Sequence, residues 1–140
     1  MHEKGYAHRD IKLDNILIDP VTKNIKIIDF GFSLMANSLE KITVFCGTPH
    51  YMDPDIVRKI AYSGFAADVW ACGVILYIIY VGKWPFFGEF EADLYRKIQN
   101  GKYTAVPSIL VGEPIRCLIR RIFDVSSTTR ITAQQCLEQS

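Results

Sequence analysis

The octapeptide HRDIKLDN runs from His8 to Asn15, and the tetrapeptide IDFG follows at Ile28 to Gly31. Between them lie two short β-branched runs, Ile16 to Ile18 and Ile25 to Ile28, separated by the turn-rich hexapeptide DPVTKN. This pattern predicts an antiparallel hairpin. The runs show almost no alternation of apolar and polar residues, so both faces of the hairpin are expected to be buried. Asn15 directly precedes the first run and Asp29 directly follows the second. Antiparallel pairing brings those two ends together however the rest of the chain folds.

One amide oxygen and one carboxylate therefore converge on one spot, with Asp10 upstream on the same loop. Hard oxygen ligands in that number, with room for waters and for an oxygen-rich substrate, suit Mg²⁺ shared with phosphates better than Zn²⁺ or a closed Ca²⁺ cage. Asp10 is within reach of a hydroxyl presented to such a metal, and Lys12 is a point charge that can meet a transferring phosphoryl group. Taken singly, each residue has a commoner structural use. His8 reads as a satisfied core histidine, Asp10 and Asp14 as turn carboxylates, Lys12 as a solvated charge and Asn15 as a turn residue. Their fixed order around one hairpin favours the chemical reading.

The rest of the chain bounds that reading. At 140 residues it fits a single domain, able to bury about 70% of the surface that its unfolded form exposes. A formal net charge of +1, from 16 basic and 15 acidic side chains, supplies no global field to recruit nucleic acid or an anionic membrane. Four cysteines lie far apart with no CxxC pair, which fits a reducing, intracellular and cytoplasmic setting. The N-terminal MHEKGYAHRD has no apolar stretch of the secretory type. The 13-residue run VWACGVILYIIYV, Val69 to Val81, falls short of the roughly 20 residues of a membrane span and reads as a core helix. Phe32 to Tyr51 reads as a long irregular loop, of the kind that is usually functional or disordered. From Asp55 onward the reading is helical: a short segment to Ile60, the buried helix from about Phe65, then EADLYRKIQN, PIRCLIRRIF and the start of a helix at TAQQCLEQ. Leu94 and Ile98, and Ile115, Leu118, Ile119 and Ile122, recur at three and four residues.

The ordered set of His-Arg-Asp, Lys12, Asn15 and Asp-Phe-Gly resembles the protein-kinase catalytic domain. CGTPHYMDPDIV from Cys46 to Val57 is similar to the end of a kinase activation segment. DVWACGVILY from Asp68 to Tyr77 is similar to the start of the central helix of the large lobe, and KWPF at Lys83 and TTRIT at Thr128 also have counterparts there. The resemblance covers essentially the whole chain. Lys12 within HRDIKLDN points to the serine/threonine branch, and DFGFS with CGTPHYM to the calcium/calmodulin-dependent and AMP-activated-like group. It implies an α+β fold, mainly α, in which residues 1–140 form the C-terminal lobe of a kinase, with a short hairpin beside the catalytic loop. It also implies ATP and Mg²⁺ as cofactors, and a protein substrate presenting Ser or Thr as partner. Neither nucleic acid nor a membrane span is expected.

Carried over residue by residue, the resemblance makes Asp10 the group that accepts or orients the substrate hydroxyl. Asn15 and Asp29 would hold Mg²⁺, and Lys12 would stabilise charge on the phosphoryl. Thr48 would hydrogen-bond Asp10 and Lys12, and Leu17 would lie beneath the adenine. His8 and Phe30 match stacked core positions, and Asp68 would bond the backbone of the catalytic loop. Three departures stand out. The family's Ala-Pro-Glu is Asp53-Pro54-Asp55 here, so the buried pair with Arg130 is expected from Asp55, one methylene shorter. Val44 stands where many relatives carry a phosphorylated threonine. Arg9 then implies a phosphate elsewhere in the loop, with Thr43 and Ser38 as candidates. Nothing before Met1 supplies a glycine-rich loop or a strand lysine. The expectation is a partial domain, completed by an N-terminal lobe in a longer chain and inactive as 140 residues alone. The alternative is a kinase-like binding or regulatory module without catalysis.

Overall fold

The computed structural model describes residues 1–37 and 40–139. Its centre is α2, Gly64–Val81, which starts where the Ser63 hydroxyl accepts from the Ala66 N–H. It ends where Gly82 adopts a left-handed conformation (φ 73°) and returns its N–H to the Ile78 carbonyl. Asp68 is the only charged residue of α2. The apolar spacing noted downstream becomes two amphipathic helices, α3 (Glu91–Gln99) and α4 (Glu113–Ile122), with Leu94 and Ile98, and Ile119 and Ile122, turned inward. They join Val69, Trp70, Val74 and Tyr77 of α2, together with Phe86, Phe123 and Ile131, in the main core. Trp70 stacks on Phe86 at 5.3 Å between ring centroids, and Phe123 lies 5.0 Å from Trp70. Two short helices complete the order: α1, Pro54–Val57, and α5, Ala133–Leu137, the latter opened by a capping box of Thr132 and Gln135.

Strand content is small and sits at the N-terminal end. Ile16–Ile18 (β2) and Ile25–Ile27 (β3) pair antiparallel, with Ile16 opposite Ile27 and Ile18 opposite Ile25. The antiparallel hairpin therefore forms as expected, but the burial expected for it does not occur. Ile18 and Ile25 are 64% and 62% exposed. Of the two strands Ile16 alone is half-buried, against the main core, while Leu17, Ile18 and all of Ile25-Lys26-Ile27 are exposed; an apolar run does not by itself supply a layer to cover it. The region between Phe32 and Tyr51 is mainly loop, yet Leu34–Met35 (β4) pairs antiparallel with Tyr6–Ala7 (β1), and Ile42 bridges to Tyr62. Pairings of one or two residues leave no periodic trace in a sequence.

By length and composition alone α2 could cross a membrane, with 18 residues at mean hydropathy 1.8. Here it is a core helix, as read from its flanks. One strip of it, at Cys72, Ile79 and Tyr80, stays exposed. A trough of about 810 Å³ runs from His2 and Phe65 past Val69 and Cys72 to Ile131 and Leu137.

Gly73 fixes how closely α2 and α4 approach. A methyl group there would sit inside the Ile122 side chain and 3.1 Å from Phe123. Helix propensity favours alanine over glycine by about 1 kcal/mol, so the two effects oppose. Overpacking is expected to win. Gly73→Ala should lower stability by about 1–3 kcal/mol, read as a lower denaturant midpoint at unchanged m.

Candidate active site

The hairpin does for the site what antiparallel pairing requires. The Ile28 N–H donates to the Asn15 carbonyl at 2.9 Å, so the chain leaving β3 is tied to the chain entering β2. Asn15 is buried, and its side-chain N–H₂ donates to the Asp10 carbonyl at 2.9 Å and to Asp10 Oδ2 at 3.3 Å. Both acceptors require the amide nitrogen on that side, which leaves Oδ1 as the oxygen outside these bonds. Asp29 stands just past β3 in a left-handed conformation (φ 60°), with an exposed carboxylate whose Oδ1 accepts from the Gly31 N–H at 3.2 Å. Among the described residues no three His, Cys, Asp or Glu side chains cluster as a metal cage. One amide oxygen and one open carboxylate fit a cation that keeps waters and shares a substrate's phosphates.

Asp10 is the hub, 7% exposed. Its Oδ1 accepts from the Thr48 hydroxyl at 3.3 Å, and its Oδ2 lies 3.1 Å from Lys12 Nζ. Lys12 also donates to Thr48 Oγ1 at 3.2 Å, so the three side chains close a ring. Thr48 precedes the single turn Pro49–Tyr51, whose Tyr51 hydroxyl accepts from the Leu13 N–H at 3.4 Å. The hydrogen bond to Asp10 holds the Lys12 ammonium above its ordinary pKa, with burial opposing and the charges of Asp10, Asp14 and Asp29 adding to the rise. The ammonium therefore stays charged at neutral pH, beside the carboxylate that needs it.

His8 is fully buried, and its two ring nitrogens have distinct duties. Nδ1 accepts from the Asp10 N–H at 3.2 Å and Nε2 donates to the Ile28 carbonyl at 3.0 Å, which assigns the neutral Nε2–H tautomer and links loop to hairpin. Phe30 meets His8 edge-on at 5.0 Å but is 53% exposed, so it is not the core residue expected. Leu17 is likewise 53% exposed, on the uncovered ribbon. Asp68, from the start of α2, accepts from the His8 N–H at 2.7 Å, the Arg9 N–H at 2.8 Å and His2 Nε2 at 2.8 Å. Arg9 places its guanidinium on the carbonyls of Phe32 and Val44 and on the Tyr62 hydroxyl. Thr43 is exposed, and Ser38 lies outside the described residues.

The pair expected between Asp55 and Arg130 is not formed. Arg130 Nη1 bonds Asp53 Oδ2 instead, with both side chains buried. Asp53 is at the same time the N-cap of α1, its Oδ1 accepting from the Asp55 N–H at 2.7 Å. The shorter side chain of Asp55 takes a hydrogen bond from the Ser127 hydroxyl at 2.8 Å and lies 3.6 Å from Arg58. Arg130 is further held by the carbonyls of Asp124 and Ala66, each at 2.9 Å, and lies over the Trp70 ring at 4.8 Å. The residue missed by sequence reasoning was thus Asp53. An aspartate directly ahead of a proline is a signal for a helix start that could have drawn attention to it, but the sequence holds no signal for the second bond.

The description "protein kinase domain" belongs to a family model that matches residues 1–140. CBL-interacting protein kinase 31 of Oryza sativa subsp. japonica is 40% identical over 140 residues, covering 98% of this chain and 30% of its own length. CBL-interacting protein kinase 3 of the same plant is 41% identical over 140 residues, with 98% and 31% covered. CBL-interacting serine/threonine-protein kinase 3 of Arabidopsis thaliana is 37% identical over 140 residues, again with 98% and 31% covered. The chain spans a little under a third of the length of these curated relatives.

Removing Asp53 leaves a buried guanidinium unpaired and a helix uncapped. Asp53→Ala is expected to cost about 3–5 kcal/mol. Asp55→Ala keeps the Arg130 pair and should cost only about 1–2 kcal/mol. Denaturant titrations of both variants check the ranking; equal losses would place the ion pair at Asp55 after all.

Proposed function

This chain belongs to the protein kinase domain family, and on that footing we propose that the protein is a serine/threonine protein kinase, moving the γ-phosphoryl of ATP onto a side-chain hydroxyl of a protein substrate. The observation that carries the reading is the closed ring of Asp10, Lys12 and Thr48, with the Asn15 amide bonded to Asp10 and the charge of Asp29 acting on Lys12. A binding module has no use for that ring.

In this reading the Asp10 carboxylate orients the attacking Ser or Thr hydroxyl and receives its proton as the new O–P bond forms and ADP leaves. Thr48 holds one Asp10 oxygen and so fixes the direction of the other. Lys12, paired with Asp10 before substrate arrives, is placed to meet the charge on the phosphoryl oxygens. Mg²⁺, when bound through Asn15 and Asp29, supplies charge neutralisation along the phosphates. Leu17, open on the ribbon surface, is the residue assigned to the adenine ring. The protein is placed in the cytoplasm, where ATP and reduced thiols coexist; four cysteines, all unpaired, support this.

The test is phosphotransfer by the full chain to a Ser/Thr peptide library. Asp10→Asn should cut kcat by about 10²–10⁴-fold with the fold intact, and Asp29→Ala should abolish turnover. Wild-type levels of turnover in either variant would overturn the assignment.

A further inference from the structure

Arg9 neighbours the catalytic Asp10 and has a left-handed backbone (φ 70°). A guanidinium in that place calls for a counter-group, and a phosphorylated hydroxyl was the expectation. The structure supplies another. Among the described residues the Arg9 side chain bonds three uncharged oxygens: Nε to the Tyr62 hydroxyl at 3.0 Å, Nη1 to the Phe32 carbonyl at 3.2 Å and Nη2 to the Val44 carbonyl at 2.5 Å. Tyr62 closes the figure by donating its own hydroxyl to the same Val44 carbonyl at 3.0 Å. A phenol has one proton to give, so its direction is fixed: O–H toward Val44, lone pair toward Arg9. Burial raises the Tyr62 pKa, which keeps that proton in place.

Tyr62 holds the loop by its backbone as well. It is fully buried and exchanges two hydrogen bonds with Ile42, at 2.8 and 3.0 Å, while Phe45 lies 6.1 Å from its ring. Gly64 permits the approach, since a Cβ there would come within 2.7 Å of Ala7 Cβ and 3.0 Å of Ile42 Cδ1. The segment from Ile42 to Phe45 is thus laced to a fixed residue at three points before it reaches Thr48. Val44 contributes its carbonyl, an atom that any residue carries, and its own side chain stays exposed.

We propose that Tyr62 is a positioning residue that, through this uncharged triangle with Arg9 and Val44, orders the segment Ile42 to Thr48 against the Asp10 loop without phosphorylation of the segment. Two of the readouts below do not depend on the phosphotransfer reading; the kinetic one rests on it.

The test uses the full chain. Amide hydrogen exchange across Ile42 to Thr48 is measured before and after phosphatase treatment and in Thr43→Ala, and all three should agree. Tyr62→Phe, which deletes both hydroxyl bonds, should speed that exchange by about tenfold, lower kcat and leave KM for ATP in place. Arg9→Lys keeps the charge but loses the fork, so it should shift exchange in the same direction. Were a phosphate the real partner, lysine would still serve it. Faster exchange after phosphatase or in Thr43→Ala would overturn the proposal, as would wild-type exchange in both Tyr62→Phe and Arg9→Lys. Should Tyr62→Phe fail to fold, judged by thermal melting, Arg9→Lys alone decides. A full chain with a protected segment and no turnover would sink the kinase assignment and leave this inference standing.

Discussion

A single buried carboxylate fixes where the chemistry sits. Asp68 is 3% exposed, inside an almost wholly apolar helix, and it is satisfied by the backbone N–H groups of His8 and Arg9 and by His2. An unpaired charge there would be prohibitive, so the loop is held at the start of α2 by the same bonds that make the helix tolerable. Arg9 can keep its left-handed backbone because its N–H is one of those donors. Everything downstream inherits that anchor: His8 reaches the hairpin, Asp10 reaches Thr48, and Arg9 reaches the segment that carries Thr48.

The two arginines of the fold show how burial selects a partner. Arg130, whose side chain is 0% exposed, is given a carboxylate, two carbonyls and an indole face. Arg9, half-buried and able to share its charge with solvent, is given dipoles alone among the described residues. Desolvation explains the difference. A fully enclosed guanidinium needs an anion, whereas a partly wet one can be fixed in direction by oriented carbonyls.

Much of this was legible in the residues. The meeting of Asn15 with the chain before Asp29 follows from hairpin geometry, and the backbone bond from Ile28 to Asn15 is its direct expression. α3 and α4 follow from apolar spacing, and α2 from an unbroken apolar run that Gly82 ends. What sequence could not express was cover and choice. A run such as ILI states that its side chains are apolar, not that anything lies on them. Asp53 and Asp55 are chemically identical, and only backbone direction at a helix start decides which one faces Arg130. Tyr62 carried no signal at all, since its partners are main-chain atoms of Ile42 and Val44 and a guanidinium distant in sequence.

The double service of Asp53 also constrains how the segment Asp53-Pro54-Asp55 can have arisen from, or return to, the Ala-Pro-Glu pattern that it resembles. Shortening the glutamate first, with alanine still at the other position, strands Arg130 in the core. Acquiring the aspartate first places two acids around one guanidinium, a crowded but foldable arrangement. With Asp55 bound to Ser127 and Arg58, replacing Asp53 alone leaves Arg130 without a carboxylate, so the two positions are energetically coupled and their substitutions are not expected to add.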